Sequence, residues 1–345
     1  MDASRTQGQM NPPMPFPRRA LLALPLAACT PQLIPAGPPI GEANLADDAL
    51  LMEDGARLPL RSWLPEGAPR AALLCLHGFN DSRNFMIEPA EALKQAGLAI
   101  YAYDQRGFGG APHRGVWPGS ATLAADAATA ARLLKARHPG IPLFLLGESM
   151  GAAVLLLSAA GPNPPPATGY VLLAPAVWGR VTMPGIVVGL LEVLSHTIPR
   201  IAVASSVPGI TPTDNMAALR RMSRDPLTIR ETRVDTSRGL VDLMDDALAA
   251  APRLGPGTPP MLLVYGARDQ LVPPVATRAL LERLPPGIPA RIAYYTGIHH
   301  MPLRDLQAPT VIRDMLSWMD HPAAPLPSGA DAAGLAWIRT PPPAW

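Results

Sequence analysis

Leu143-Phe144-Leu145-Leu146-Gly147-Glu148-Ser149-Met150-Gly151 is the stretch of sequence that most constrains the fold. Its first four residues form an apolar run of strand length, and an apolar, alanine-containing segment over 152–160 follows with helical character. Small residues on both sides of Ser149 permit the sharp turn that joins a buried strand to a helix and exposes the serine hydroxyl at the top of a sheet. The pattern therefore predicts that Ser149 is a nucleophile.

Strands and helices alternate on both sides of this stretch. Asp54-Gly55 supplies the positive φ angles of a tight hairpin between strands at 50–53 and 57–63. The further predicted strands span 71–76, 98–103, 170–173, 261–265 and 291–295. The predicted helices span 85–96, 121–137, 152–160, 275–284 and 303–319. This alternation predicts an α/β fold whose mostly parallel sheet is covered by helices on both faces.

Composition indicates a large globular core with polar ends. Of the 345 residues, 48% are hydrophobic and 16% are charged, which excludes a disordered chain. The net charge of +2, with no long basic run, speaks against nucleic acid as a partner. The 44 prolines concentrate before residue 41, around 162–166 and after 322, so we expect a linker at 29–45 and a Pro-rich tail at 321–345.

The core is predicted to comprise 46–176 and 251–320, with a helical cap inserted at 177–250. Because the cap follows one strand and precedes the next, it is expected over the carboxyl edge of the sheet, where ligands bind. Its apolar stretch at 186–191 could line an acyl pocket or touch a membrane, but burial statistics favour a place in the cap's own core.

The two cysteines have different interpretations. Cys75 lies within an apolar strand and is expected to be a buried small hydrophobe. Arg18-Arg19 precedes the apolar stretch 20–28, and small residues come directly before Cys29. This order predicts a secretory signal at 1–28, since the stretch is far shorter than the ~20 residues of a membrane span.

The residues at 26–29 also resemble the bacterial lipobox, which implies lipidation of Cys29 and a cell-envelope, membrane-anchored, periplasm-facing location. An ordinary signal peptide or a chance cysteine in a disordered N-terminus are the alternatives.

A serine nucleophile needs a base that a carboxylate orients, in the chain order Ser, acid, His on this scaffold. Asp269 follows the predicted strand 261–265, and His299 and His300 both follow the last strand, so spacing leaves the base open between them. The oxyanion of the intermediate needs backbone N–H donors. The Met150 amide, at the start of the elbow helix, and the Phe79 amide, in the loop after the strand 71–76, are the candidates.

Six motifs resemble, in order, the monoacylglycerol lipase and lysophospholipase group, which is often grouped with the serine aminopeptidase-like (S33) α/β-hydrolases. They are His77-Gly78-Phe79, the segment 103–109 with Asp104-Gln105-Arg106-Gly107, the Gly147–Gly151 elbow, Ser223-Arg224-Asp225-Pro226, the segment 266–272 around Asp269, and His300-Met301. The resemblance covers about 46–320. It implies the α/β-hydrolase fold, a base at His300 rather than His299, an acyl pocket shaped by the cap, and a structural rather than catalytic role for Asp104 and Arg106.

The expected reaction is hydrolysis of a carboxylic ester, of monoacylglycerol or lysophospholipid type, through an acyl-enzyme on Ser149. Acyl transfer or peptide hydrolysis by the same residues is the alternative, and a non-catalytic envelope binding protein is the least favoured one. No cofactor, metal or obligate protein partner is expected, because the sequence has no Gly-x-Gly-x-x-Gly after a strand, no P-loop and no clustered metal-ligand spacing. The expected partners are a small lipid or ester substrate and a membrane.

Overall fold

The computed structural model of the protein describes residues 30–205 and 209–340. Cys29 and the segment 1–28 lie outside the described residues, so the lipobox and the signal peptide stay predictions. The strands are Asn44–Leu45 (β1), Ala49–Leu51 (β2), Arg57–Trp63 (β3), Ala71–Leu76 (β4), Leu98–Tyr103 (β5), Leu143–Glu148 (β6), Gly169–Leu173 (β7), Ala202–Ala204 (β8), Glu231–Arg233 (β9), Met261–Gly266 (β10) and Ala290–Tyr295 (β11).

Helices lie between and after these strands. They are Pro89–Gln95 (α1), Ser120–Arg137 (α2), Met150–Ala159 (α3), Gly185–Thr197 (α4), Met216–Arg224 (α5), Val234–Ala250 (α6), Pro274–Arg283 (α7), Ala308–Asp320 (α8) and Ala330–Arg339 (α9), with short 3₁₀ turns at Arg83–Met86 and Ala251–Arg253. None of the helices in the described part of the chain combines the length and the apolar character needed to cross a membrane.

Within the described residues one sheet has the order β1-β2-β3-β5-β4-β6-β7-β10-β11. The strands from β5 to β11 in this order run parallel, and β1, β2 and β3 add an antiparallel edge. The architecture confirms the predicted α/β-hydrolase fold. Since β6, β10 and β11 are parallel, the residues that follow them emerge at one edge of the sheet.

The central strands are buried on both faces because each is a continuous apolar run. In β4, Leu74 and Leu76 pack into the core on one side of the sheet, and Leu73 and Cys75 pack into the core on the other side. Cys75 is fully buried, as the sequence predicts, and burial raises the pKa of its thiol. Among the described residues it forms no disulfide. The hairpin is also confirmed, with Gly55 at φ +79° between β2 and β3.

Two predicted helices are shorter than expected, and a proline accounts for each difference. The segment 85–96 divides into a 3₁₀ turn and α1, because Pro89 has no N–H to donate to the preceding turn. The predicted helix 303–319 begins only at Ala308 (α8), since Pro309 cannot donate back to Asp305. The residues 301–307, which directly follow His300, instead form turns.

The cap contains features that periodicity did not reveal. β8 and β9, of three residues each, pair antiparallel, whereas the sequence showed no clear strand there.

The expectation that the apolar stretch of α4 forms the core of the cap is wrong, because Ser195 is the buried residue of this helix. Ile186 is 83% exposed, and Leu190 and Val193 are also exposed. At spacings of four and seven residues these side chains share one helix face.

The Pro-rich C-terminal segment contributes to the core, contrary to the expectation of a tail. Leu326 and Ala330 are buried against the sheet. In α9, Trp337 stacks on Tyr294 of β11 with ring centroids 5.2 Å apart and an interplanar angle of 13°. The Arg278 guanidinium of α7 lies 4.2 Å from the centroid of the same indole.

Candidate active site

Ser149 occupies the sharp turn between β6 and α3 in a strained conformation. Its φ of 53° and ψ of −111° lie in a region that L-residues rarely adopt. A Cβ at position 147 would lie 2.4 Å from the Gly151 carbonyl carbon, and a Cβ at position 151 would lie 2.3 Å from the Leu76 oxygen. The two glycines of the motif are thus required by backbone contacts, which explains why the sequence pattern is informative.

Asp269 and His300 meet at the same edge of the sheet. The Nδ1 atom of His300 lies 2.8 Å from the Oδ2 atom of Asp269, and both side chains are buried. The other carboxylate oxygen of Asp269 accepts hydrogen bonds from the Leu271 and Val272 amides at 2.8 and 3.0 Å. The turn after β10 therefore holds the carboxylate in one orientation, and the His300 ring keeps its Nε2 atom for another partner.

The environment of His300 alters its basicity. Burial disfavours the charged ring, but the charge and hydrogen bond of Asp269, together with the charge of Glu148, outweigh burial, so the pKa of His300 is raised above its ordinary value. Glu148 directly precedes Ser149, so its charge acts on His300 from the nucleophile's own turn.

His299 has a different set of partners. Asp305 Oδ2 accepts from the backbone N–H of His299 at 3.0 Å and lies 2.9 Å from its Nδ1 atom. Asp214 of the cap lies beside this pair. Their ligand atoms lie within 4.8 Å of one another, so in the part of the chain that the structure describes Asp214, His299 and Asp305 form the group that could hold a metal ion. Side chains of this group already take part in hydrogen bonds. Asp305 Oδ2 contacts His299, and Asp214 accepts a hydrogen bond from the Leu306 amide at 2.9 Å.

The loop after β4 approaches Ser149 closely. A Cβ at position 78 would lie 3.4 Å from the Ser149 Cβ, so Gly78 allows this backbone to pass beside the nucleophile. Among the described residues, the amides of Phe79 and Met150 donate no hydrogen bond to another protein atom, and Met150 is fully buried. Both amides are thus available to an oxyanion.

His77 and Gln105 brace this loop, a role that the sequence analysis missed. The Gln105 amide donates to His77 Nε2 at 3.0 Å, and the Gln105 side chain donates to the His77 carbonyl at 2.8 Å. Burial lowers the pKa of His77, which keeps its ring neutral and able to accept. The position of His77 directly after a fully apolar strand was the sequence feature that could have indicated this buried, structural role.

Asp104 and Arg106 have structural partners, in keeping with their omission from the predicted site. Asp104 pairs with Arg83 and accepts from the Gly110 amide at 2.7 Å. Arg106 is buried between Asp54 and Asp126, at 2.8 and 3.0 Å. The Arg106 ion pairs connect the hairpin to α2, and the Asp104 ion pair connects the segment after β5 to the 3₁₀ turn at Arg83–Met86.

A buried ion network borders the site and was also missed. Arg304 pairs with Asp81 Oδ2 at 2.8 Å and with Glu148. Burial disfavours the charge of Arg304, but the two carboxylates outweigh burial and raise the pKa of the guanidinium. Glu148 was the feature of the sequence that could have indicated this network, because a carboxylate at the end of a buried strand requires a cation nearby.

Comparisons with known proteins identify the family to which the chain is similar. The family model described as "Serine aminopeptidase, S33" matches residues 67–307. A monoacylglycerol lipase of Mycolicibacterium smegmatis is 26% identical over 277 residues, which cover 77% of this chain and 93% of that protein. The monoglyceride lipase of Homo sapiens is 27% identical over 280 residues, covering 80% of this chain and 90% of that protein.

Solved structures share the fold. The crystal structure of a Paleococcus ferrophilus monoacylglycerol lipase matches with a TM-score of 0.63 and 23% identity, covering 76% of this chain and 98% of that one. A soluble variant of the Saccharomyces cerevisiae monoglyceride lipase, in complex with a substrate analog, matches with a TM-score of 0.66 and 20% identity, covering 84% and 98%.

Proposed function

Because the chain belongs to the serine aminopeptidase, S33 family of α/β-hydrolases, we propose that it is a serine hydrolase that cleaves carboxylic esters through an acyl-enzyme on Ser149. The observation that carries this proposal is the 2.8 Å contact between His300 and Asp269 at the sheet edge that also presents the strained Ser149. The named relatives, which are lipases of monoacylglycerols, support ester hydrolysis.

The reaction proceeds in two steps. Ser149 Oγ attacks the ester carbonyl carbon while His300 Nε2 takes the hydroxyl proton, and the Phe79 and Met150 amides stabilise the oxyanion. His300 then returns the proton to the leaving alcohol as the ester C–O bond breaks. Water attacks the acyl-enzyme by the same route, and the fatty acid leaves. Asp269 holds the His300 ring in the tautomer that presents Nε2.

The substrate class that we favour is a mono-acyl glycerolipid, either a monoacylglycerol or a lysophospholipid. Coverage of the relatives over most of their length supports it, since core and cap are both matched. Peptide hydrolysis is the second candidate, because the family description names an aminopeptidase and the same three residues could perform it.

A p-nitrophenyl ester series of increasing acyl length tests the ester proposal. We expect wild-type turnover that depends on chain length, and a loss of more than about 10⁴-fold in kcat for Ser149→Ala. Ser158→Ala, the same change later in α3, is the matched control and should retain activity. Ser149→Ala protein that still turns over these esters would refute the nucleophile.

The two histidines are separated by the same assay. His300→Ala should lose activity nearly as severely as Ser149→Ala, whereas His299→Ala should lose less than about tenfold, because its ring bonds to Asp305 rather than Asp269. Near-normal turnover by His300→Ala would overturn the assignment of the base.

We further propose that the protein is anchored in the cell envelope by a lipid on Cys29. The Arg18-Arg19 pair, the short apolar stretch and the small residues before Cys29 support it. The exposed apolar face of α4 is a second support, because apolar patches on a protein surface commonly mark contact with lipid or protein.

A further inference from the structure

A short segment of the cap lies against both turns that carry the proposed acid and base. We name it the clamp segment, and it comprises Thr211-Pro212-Thr213-Asp214. The amide of Thr211 donates a hydrogen bond to the side-chain oxygen of Gln270 at 2.7 Å. Gln270 directly follows Asp269. The clamp segment is therefore joined to the turn after β10, in which the proposed acid lies.

The same segment is joined to the turn of the proposed base. The Met301 amide donates a hydrogen bond to the Pro212 carbonyl at 3.0 Å. Because Met301 directly follows His300, this bond fixes the peptide plane that leaves His300 and limits the directions in which its ring can point. Two adjacent residues of the cap, Thr211 and Pro212, thus bind the two residues that directly follow Asp269 and His300.

Two side chains of the clamp segment hold the rest of the base turn. The Thr213 hydroxyl donates to the Arg304 carbonyl at 3.0 Å, and Thr213 is fully buried. The Asp214 carboxylate accepts from the Leu306 amide at 2.9 Å. The residues 301–307 form turns rather than a helix, so these bonds satisfy backbone groups that regular secondary structure leaves unpaired. The clamp segment thus fixes where this turn lies.

The position of the base turn matters because proton transfer depends steeply on geometry. A misplacement of about 1 Å in a catalytic group can cost roughly 100-fold in rate. The cap is also joined to the core at places that touch neither turn, such as the bond from the Thr236 hydroxyl to the Gly115 carbonyl at 2.8 Å. Attachment of the cap therefore does not by itself require bonds to the acid and base turns.

We infer that the clamp segment is a positioning element of catalysis, which holds the turns of Asp269 and His300 at the separation that proton transfer from Ser149 requires. Thr213 is its central positioning residue, because its buried hydroxyl binds the base turn between the contacts of its two neighbours. Thr213 acts through His300 and not on the substrate. The inference rests on the proposed ester hydrolysis and adds a role for the cap beyond shaping an acyl pocket.

Thr213→Val tests the inference, because valine has the shape of threonine but cannot donate to the Arg304 carbonyl. The substrate is p-nitrophenyl acetate, whose short acyl group makes little use of an acyl pocket. We expect kcat to fall about tenfold with KM unchanged, since the base is displaced while the bound ester is not. Thr213→Ser keeps the hydroxyl and should retain the wild-type kcat.

Thr236→Val is the matched control, because it removes another buried hydroxyl that joins the cap to a core carbonyl. Both valine variants should lower the midpoint of thermal unfolding to a similar extent, but only Thr213→Val should lower kcat. An equal fall in kcat in the two variants, or a wild-type kcat in Thr213→Val, would overturn the inference.

The acid turn provides a second variant in which the core stays intact. Gln270 is exposed, so Gln270→Ala removes the acceptor of the Thr211 amide without opening the core. We expect a smaller fall in kcat than in Thr213→Val, again with KM unchanged. If Thr213→Val does not fold, a wild-type kcat in Gln270→Ala overturns the inference.

The pairing of His300 with Asp269 gives a readout that does not depend on turnover. The Nδ1 proton that His300 donates to Asp269 should give a downfield NMR signal in protein labelled at its histidine nitrogens. Thr213→Val should move this signal upfield, and Thr236→Val should leave it in place. An unchanged signal in Thr213→Val would contradict a displaced base. Wild-type protein that shows the signal but does not hydrolyse the ester would instead contradict the proposed function, and the catalytic role of the clamp segment with it.

Discussion

At the scale of single residues, the charge state of His300 depends on what surrounds it. The ring is buried, which alone would favour its neutral form, but Asp269 contacts Nδ1 and Glu148 adds a second negative field. Arg304 opposes both, because its charge lowers the pKa of His300. The two carboxylates have the larger combined effect, so the pKa of His300 is raised and the proposed base is stronger than a free imidazole.

This balance predicts the pH dependence of catalysis. His300 must be neutral to take the Ser149 proton, so kcat/KM should rise as pH increases through the raised pKa of His300. The midpoint of this acid limb should lie above the ordinary histidine value of about 6.5. A profile of kcat/KM against pH, measured on a soluble p-nitrophenyl ester, gives the midpoint.

Asp269→Asn provides the comparison for that profile. Removing the carboxylate leaves burial dominant, so the pKa of His300, followed by NMR of its ring protons, should fall below the wild-type value. We expect kcat to drop about 10³- to 10⁴-fold as well, since the tautomer is no longer held. A wild-type midpoint at or below 6.5, or a His300 pKa that Asp269→Asn does not lower, would contradict the proposed pairing.

At the scale of elements, α9 covers the outer strand of the sheet. Trp337 stacks on Tyr294, while Arg278 donates hydrogen bonds to the Trp337 and Ile338 carbonyls at 2.6 and 3.1 Å. A Cβ at position 334 would lie 2.4 Å from the Ile292 oxygen, so Gly334 lets the helix approach β11 closely. β11 leads directly into the His300 turn, and α9 therefore supports the strand that positions the proposed base.

Trp337→Ala tests this support. Loss of the half-buried indole, with its stacking and cation–π contacts, should lower the free energy of unfolding by about 2 kcal/mol. Leu335→Ala, on the same helix but with a 55% exposed side chain, should change it by less than about 0.5 kcal/mol. Urea titration followed by circular dichroism gives both values, and equal effects of the two substitutions would show that α9 does not depend on the indole.

At the scale of the whole molecule, the cap and the N-terminal segment bear on where the protein works. The cap presents Ile186, Leu190 and Val193 of α4 to solvent. The first described residue, Thr30, directly follows Cys29, so a lipid there would hold the protein close to a bilayer. An enzyme of lipid esters placed at a membrane meets its substrate where that substrate is concentrated.

The proposed anchor predicts a difference between the two cysteines. Cys29→Ser should move most of the protein from the membrane fraction to the soluble fraction and abolish incorporation of labelled palmitate, because no thioether-linked lipid can form. Cys75→Ser is the control and should stay with the membrane, since Cys75 is buried within β4. Cys29→Ser protein that remains membrane-bound and labelled would refute the lipobox.

Most of the architecture follows from local signals in the amino-acid sequence. Continuous apolar runs predicted the strands from β4 to β11 in the core within two residues, and the backbone contacts around Ser149 permit only glycine at 147 and 151. Two helix predictions were misleading for an equally local reason, since Pro89 and Pro309 lie inside helical patterns.

Which side chains face one another depends on the tertiary fold. His299 and His300 are equivalent by spacing, and the rotation between neighbouring residues sends one ring to Asp305 and the other to Asp269. The partner of Glu148, Arg304, comes from 156 positions away, and Arg304 in turn binds Asp81. The outward face of α4 depends on what α6 and the core leave uncovered. Periodicity reports that a face is apolar, whereas burial, charge compensation and cavities arise from contacts between distant segments, which no local pattern encodes.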